Sequence, residues 1–264
     1  MEGQFLSCLP PTPLAAVVFE LWDWTWPNEA RWHGGAPKPY VELVFNLGEP
    51  FLWRACPASE SHVFHHGWVT PVQRGPRQAR TDGNICLVGA RLYPAAAITM
   101  FGPLPSGDGA PPKPFTKTHR WFARTRAALI EAGSPDKRLR ILADALTKLQ
   151  ISNDFLPDAA PTTDSAKVLA YHFGVTEREL RRIFAQKTGV SPKVWLRLAR
   201  LDRVLRDPDL NDSAARIADI AHRHGFADQA HLDREFRLLI GLPPVQLRSG
   251  TRIKAGPPPH YMAL

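Results

Sequence analysis

A pattern of leucine, arginine, phenylalanine, glycine and proline occurs twice in the C-terminal half of this chain, and it constrains the fold more than any other feature. The five residues recur at a constant offset of 52 positions, as Leu180, Arg182, Phe184, Gly189 and Pro192, and again as Leu232, Arg234, Phe236, Gly241 and Pro244. Two copies are too few for a solenoid array. The repeat therefore predicts two copies of one helical unit.

Each copy predicts a helix-turn-helix. The leading helix covers 166–173 in the first copy and 216–224 in the second. Each leading helix ends at a turn glycine, and a second helix follows it. Gly174 and Gly225 supply the two turns. Thr176 and Asp228 stand where a side-chain oxygen accepts from the free N–H groups of a helix's first turn. We expect both residues to cap their helices.

The second helix of each unit has one apolar and one polar face. Leu180, Ile183 and Phe184 share a face at helical spacing, as do Leu232 and Phe236. About half a turn away lie arginines in both copies, among them Arg181 and Arg234. We predict that the residues that contact bases are Arg178, Arg181, Arg182, His231 and Arg234. A helix with an apolar anchor and an arginine face suits insertion into a major groove, where arginine donates to guanine O6 and N7.

The sequence over 192–206 predicts a long helix that joins the two units. Proline stands in its permitted first turn. Trp195, Leu198, Ala199 and Leu201 are available for burial. We expect its basic residues, Lys193, Arg197, Arg200, Arg203 and Arg206, to be solvated or near phosphate.

The residues from Gly225 to Phe236, with Gly241, Pro244 and Arg248 after them, are similar to the signature of the AraC-type transcription regulators. The upstream copy resembles the first half of the same family's domain, so that the resemblance covers about 164–248. It implies two helix-turn-helix units joined by a long helix and inserted into successive major grooves of double-stranded DNA.

Basic charge is concentrated on the same half. The formal net charge is +8, with 17 Lys or Arg against 11 Asp or Glu in residues 161–264 and 16 against 14 in residues 1–160. A basic surplus favours a polyanionic partner, although many basic proteins bind no nucleic acid.

The N-terminal half predicts a β-sandwich or barrel-like domain, which makes the whole chain an α+β protein. Short apolar runs bounded by turn residues lie at 15–22, 40–47, 51–55, 62–69 and 85–92. The runs over 40–50 and 88–94 resemble the N-terminal domain of one AraC-type subgroup, for which a sensor role is inferred from architecture. The predicted division is a β-rich domain over 1–115, a helical connector over 116–151, a linker over 152–163, the DNA-binding domain over 164–250 and an irregular tail over 251–264.

Six of the eight tryptophans precede residue 70. Trp22, Trp24 and Trp26 alternate and would share one face of a strand. Core packing is one interpretation. The other is an aromatic wall for a small-molecule effector, formed by Trp22, Trp24, Trp53 and Trp68.

The residue patterns give little support for a metal site or for enzyme activity. His62, His65 and His66 invite a metal, but adjacent histidines on a strand point to opposite faces, so we predict neither metal nor cofactor. No catalytic triad or phosphate-binding loop is found, which counts against an enzyme. The competing hypothesis is a β-domain enzyme, or a metal- or ligand-binding sensor, that the helical half localises.

No stretch approaches the length of a membrane span, and the start of the chain has no basic segment leading into an apolar core. The three cysteines at wide spacing fit reduced thiols. We therefore expect a cytoplasmic regulator that binds double-stranded DNA. An effector of unknown identity, RNA polymerase and a second copy of the chain are further candidate partners.

Overall fold

The computed structural model describes residues 3–27, 30, 32–105, 109–115, 120–151 and 165–247, and the backbone of 261–263. The N-terminal half is built on two antiparallel sheets, and the C-terminal half is helical. The α+β class predicted from the sequence is confirmed.

Six described strands form sheet A in the order β1-β2-β9-β4-β7-β10. They are β1 Gln4–Cys8, β2 Val18–Trp26, β4 Val41–Asn46, β7 Gly67–Thr70, β9 Ile85–Leu92 and β10 Lys113–Pro114. Five more form sheet B in the order β11-β3-β8-β5-β6. They are β3 His33–Gly35, β5 Phe51–Arg54, β6 His62–Phe64, β8 Arg77–Thr81 and β11 Tyr261–Ala263.

Sheet A is covered on both faces. Trp22 and Trp24 of β2 point toward sheet B and join Phe51 and Trp53 in one apolar cluster. Leu21, which alternates with them, belongs to a second cluster on the opposite face. Because successive side chains on a strand point to opposite faces, β2 separates two distinct cores.

Three helices of the N-terminal half pack on or beside that outer face, namely α1 Pro94–Phe101, α2 Arg120–Glu131 and α3 Pro135–Thr147. Helix α3 begins where the Ser134 side chain accepts from the Lys137 backbone N–H, and it contacts β2. Its Arg138 forms a bidentate ion pair with Asp23 at 2.6 and 2.9 Å. The two helices predicted over 118–132 and 136–150 are α2 and α3.

The C-terminal half contains α4 Ala166–His172, α5 Glu177–Thr188, α6 Pro192–Arg206, α7 Ile217–Arg223, α8 Gln229–Ile240 and α9 Pro244–Gln246. A short 3-10 turn, Pro208–Leu210, follows α6. The bridging helix has the bounds that the sequence predicts. Its apolar side chains join the larger cluster, which continues into the helices packed on sheet A.

Several strands differ from expectation. The single strand expected over 62–69 divides into β6 and β7, which belong to different sheets. Gly67 has a φ of 151°, and a Cβ there would lie 2.3 Å from the Val44 carbonyl oxygen, so the chain changes direction at a residue that only glycine suits. Strand β8 is largely polar and lacks the apolar alternation by which strands are recognised.

The predicted domain boundaries remain predictions. The linker expected over 152–163 lies outside the described residues, as does Arg248. Tyr261–Ala263 pairs with β3, whereas the sequence predicts an irregular tail over 251–264. Among the described residues, no helix is long and apolar enough to span a membrane.

Candidate DNA-binding surface

Two helix-turn-helix units, α4 with α5 and α7 with α8, are joined by the bridging helix α6. Gly174 and Gly225 adopt left-handed conformations at φ 62° and 76°, which allow the tight turns. Thr176 accepts from the Glu179 backbone N–H at 3.2 Å, and Asp228 accepts from that of His231 at 2.6 Å. The turns and caps predicted from the sequence are thus present in both units.

The first recognition helix, α5, buries Leu180 and Phe184 and exposes its arginines. Arg182 lies 3.5 Å from Glu179 and donates to Gln186 at 3.3 Å. Within the described part of the chain, Arg178 and Arg181 form no ion pair. These two guanidinium groups are therefore available to DNA, whereas Arg182 is partly engaged along its own helix.

The second recognition helix, α8, buries Leu232 and Phe236 and exposes Arg234. The His231 ring is held in place because its Nδ1 accepts a hydrogen bond from the Ala227 backbone N–H at 3.4 Å. Its ring also packs edge-on against Phe226, with centroids 5.2 Å apart. Because Nδ1 accepts this hydrogen bond, Nε2 is the ring nitrogen that remains for a contact outside the helix.

Three basic residues of α6, which were expected to be solvated or near phosphate, instead contact other parts of the protein. Arg197 forms a bidentate pair with Glu235 on α8, with one contact at 2.9 Å. Arg200 lies 4.6 Å above the Phe226 ring and donates to the Gly225 carbonyl at 3.3 Å. Arg206 pairs with Glu20 of β2. The expectation failed because the partners come from elements distant in sequence.

Asp207 fixes the start of the second unit. Its side chain is buried and accepts from Arg223 at 2.8 Å, from the Asp209 backbone N–H at 3.0 Å, and contacts His224 Nε2 at 2.7 Å. Burial would raise the pKa of Asp207, but the His224 hydrogen bond and the other donors outweigh it and lower that pKa. This carboxylate connects the end of α6 to the end of α7.

The four tryptophans predicted to form an aromatic wall lie together. Trp22, Trp24, Trp53 and Trp68 are all buried in the cluster between the two sheets. Among the described residues, the indole nitrogens of Trp22 and Trp53 have no hydrogen-bond acceptor. Buried donors without acceptors are uncommon in folded proteins and are often satisfied by water or a ligand.

The same space between the sheets ends in a buried charge cluster that the sequence analysis missed. Arg91 is fully buried and pairs with Glu20 and Glu42. Glu42 also pairs with Arg77 at 3.0 Å and with Lys38 at 2.5 Å. The arginines and lysine overcome the effect of burial and lower the pKa of Glu42, while burial lowers the pKa of Lys38. The single charged residues within the otherwise mainly apolar strands β4 and β9, Glu42 and Arg91, could have suggested this cluster.

The histidines do not form a metal site in the part of the chain that the structure describes, where no group of three or more His, Cys, Asp or Glu side chains has a suitable arrangement. The ring centroids of His65 and His66 are 6.2 Å apart. A surface pocket of about 460 Å³ lies elsewhere, between the ends of α1 and α3 and the start of α2, with Phe101, Phe115 and Trp121 in its wall.

Comparisons with known proteins agree with this geometry. A family model described as a helix-turn-helix domain matches residues 169–250. The HTH-type transcriptional activator RhaS from Escherichia coli O1:K1 is 30% identical over 109 residues, which cover 41% of this chain and 38% of RhaS. The match thus spans well under half the length of that curated relative.

The fold of the whole chain has solved counterparts. ToxT from Vibrio cholerae superimposes with a TM-score of 0.50 at 10% identity, covering 87% of this chain and 98% of ToxT. A structure of ToxT bound to an unsaturated fatty acid gives a TM-score of 0.50 at 10% identity and covers 94% of this chain and 96% of ToxT. Identity this low shows a common fold alone.

Helices α4 to α8 form a tandem helix-turn-helix domain, the class that two capped units on one bridging helix define. Within this domain, the run from Gly225 to Phe236 resembles the AraC-type regulators.

Proposed function

We propose that this protein is a sequence-specific DNA-binding transcription regulator that inserts α5 and α8 into successive major grooves. The observation that carries the proposal is the exposure of arginines on two capped recognition helices that share one bridging helix. Helices presented in this way suit base-edge contacts in the major groove.

The proposed base-contacting residues are Arg178, Arg181, Arg182, His231 and Arg234. Arg178, Arg181 and Arg234 are exposed, and none of them forms an ion pair within the described residues. Arg182 is less available to a base than these three, since its guanidinium already contacts Glu179 and Gln186.

The β-rich half would sense a small molecule, join two copies of the chain, or do both. The buried indole N–H groups of Trp22 and Trp53 support the proposal of a ligand between the sheets, because a ligand with acceptor atoms would accept hydrogen bonds from them. The fatty acid is a property of ToxT, and the effector here is of unknown identity. A cytoplasmic location and a contact with RNA polymerase would follow from the same role.

Selection of binding sites from random DNA tests the proposal. If the two units enter successive grooves on one face of the duplex, the selected motif should contain two unlike elements ~34 Å or ~10 base pairs apart. Arg181→Ala should relax base preference in one element at a cost of ~1–3 kcal/mol, and Arg234→Ala should do so in the other.

Arg140→Ala is the matched control, because Arg140 is exposed on α3 in the other half of the chain. It should select the wild-type motif unchanged. If neither Arg181→Ala nor Arg234→Ala alters the motif, these arginines do not contact bases and the site is wrong. If wild type selects no motif at all, the proposed function fails.

A further inference from the structure

The bridging helix is attached to the β-rich half near its first turn by Trp195. The Trp195 indole N–H donates to the Pro39 carbonyl at 3.1 Å, across 156 residues of sequence. The same ring packs edge-on against Phe184 of the first recognition helix, with centroids 5.7 Å apart. The buried side chain of Trp195 therefore connects α6 both to the first recognition helix, α5, and to the loop that leads into β4.

Arg206 makes the second attachment, at the last residue of α6. Its guanidinium donates to both Glu20 oxygens, at 3.1 and 3.4 Å, and to Asp202 at 3.0 Å. It also lies 5.0 Å from the centre of the Phe19 ring. Burial would raise the pKa of Glu20, but Arg91 and Arg206 outweigh it, so the carboxylate remains charged at neutral pH.

Glu20 is the outermost member of a series of alternating charges. Arg91 joins Glu20 to Glu42, and Glu42 joins Arg91 to Arg77 of sheet B. The series runs from the bridging helix along the face of sheet A that is directed toward sheet B. A rearrangement of side chains there would therefore act on the carboxylate that holds Arg206, because a buried ion that loses its partner is strongly destabilised.

The contacts between the two halves leave the arginine-bearing faces of α5 and α8 exposed. In the described part of the chain, the contacts between the halves include those of α1 with α5, those of α6 named above, a 3.5 Å hydrogen bond from Arg74 to the Gly189 carbonyl, and the pairing of Tyr261–Ala263 with β3. Arg178, Arg181 and Arg234 are exposed in this attached state. The attachment thus restrains the first unit without covering the residues proposed to contact DNA.

We propose that the contacts of Trp195 with Pro39 and of Arg206 with Glu20, here termed the bridging-helix contact, are the route by which the β-rich half controls DNA binding. The contact holds α6 and the first recognition helix in the arrangement that binds the operator. Any change between the sheets that displaces Glu20 releases α6 and weakens binding. This inference rests on the proposed function and adds its regulation.

The mechanism is pre-organisation. A binding surface that is already held in its bound arrangement loses less conformational freedom on association. One net hydrogen bond corresponds to about twofold to tenfold in an equilibrium constant. Loss of either attachment should therefore weaken operator binding by about that factor, and loss of both should weaken it more.

Two substitutions in the full-length chain test the contact, each with a matched control. Trp195→Phe removes the indole donor and keeps a ring against Phe184. Its control is Trp121→Phe, since Trp121 also donates to a backbone carbonyl, that of Ala145 at 3.2 Å, within the N-terminal half. Arg206→Met breaks the pair with Glu20. Its control is Arg138→Met, which breaks the pair with Asp23 inside the same half.

Two measurements distinguish a failure of this proposal from a failure of the proposed function. Small-angle scattering reports whether the halves separate, and it needs no DNA. Affinity is then measured with the operator selected by the wild-type protein. The expected result is a larger radius of gyration and about twofold to tenfold weaker binding for Trp195→Phe and Arg206→Met, with neither change in the controls. Circular dichroism should show all four variants folded.

Arg206→Lys provides a further check, because it keeps one charge beside Glu20 and should recover part of the lost affinity. Three outcomes would overturn the proposal. The first is unchanged scattering for both interface variants, and the second is separation of the halves with unchanged or tighter DNA binding. The third is an equal loss of affinity in the controls. If the wild type binds no DNA, the proposed function fails, while scattering still decides whether the contact holds the halves together.

Discussion

Arg197 of the bridging helix and Glu235 of the second recognition helix form a bidentate, half-buried ion pair, with one N–O distance of 2.9 Å. This pair attaches α8 to α6 by charge. The corresponding contact of the first unit is aromatic, between Phe184 and Trp195. The two units are therefore held on one helix by different interactions, and they should respond differently to substitution.

Glu235→Gln should weaken binding at the element contacted by α8. The amide keeps the shape of the side chain but loses the charge that accepts both Arg197 donors, at a cost of about 0.5–1.5 kcal/mol. Affinity measured on operators mutated in one element at a time should show the loss confined to that element. Asp82→Asn, which breaks an exposed pair with Arg80 in the N-terminal half, is the control and should change neither.

Operator affinity should fall steeply as salt concentration rises. Lys and Arg side chains that neutralise phosphates release condensed counterions, so log K decreases by about 0.9 per phosphate contact for each unit of log salt. Titration of the operator at several salt concentrations measures the slope. A flat dependence would contradict docking in the grooves.

A fragment of residues 161–264 should fold by itself and bind the operator more weakly than the full chain. Both helix-turn-helix units and α6 lie within it, but removal of the β-rich half exposes Trp195 and leaves Arg206 without Glu20. Circular dichroism and operator titration provide the two measurements. A folded fragment without any operator binding would show that the N-terminal half is required, most simply for pairing of two chains.

Stability should decrease on acidification. Glu20 and Glu42 have pKa values lowered in the folded protein, chiefly because their cationic partners outweigh burial. Their contribution is therefore complete above the unfolded value of about 4.3 and is lost as pH falls toward the lowered values. Denaturant unfolding at pH 7, 5 and 3 should show the free energy of unfolding falling mainly between the last two.

Glu20→Gln should make that decrease shallower, because one of the two responsible carboxylates is removed. A free energy of unfolding that is equal at pH 5 and pH 3 in the wild type would refute this account of the buried charge cluster.

Local features of the DNA-binding half could be predicted because their causes lie a few residues apart. A cap depends on one side chain and the N–H group three residues later, as with Thr176 and Glu179. The turn at Gly225 depends on one backbone conformation, and the burial of Leu232 and Phe236 follows from helical spacing. The α+β class and the bounds of α6 followed for the same reason.

Strands can be predicted from the sequence where short apolar runs are bounded by turn residues. Ile85–Leu92 was predicted with its observed bounds, whereas β8, with its polar residues, was not. Pairing in a sheet depends on partners far away in sequence, and the division of residues 62–69 between two sheets could not be read from that segment alone.

The sequence by itself determined the two helix-turn-helix units, their caps, their exposed arginines and the helix that joins them. Only the tertiary structure decided that Arg206 meets Glu20 across 186 residues, that Arg91 is buried between two carboxylates, and that Trp195 donates to Pro39. The physical reason is that an ion pair or hydrogen bond between distant elements depends on how both elements pack. Local propensity contains no information about that packing.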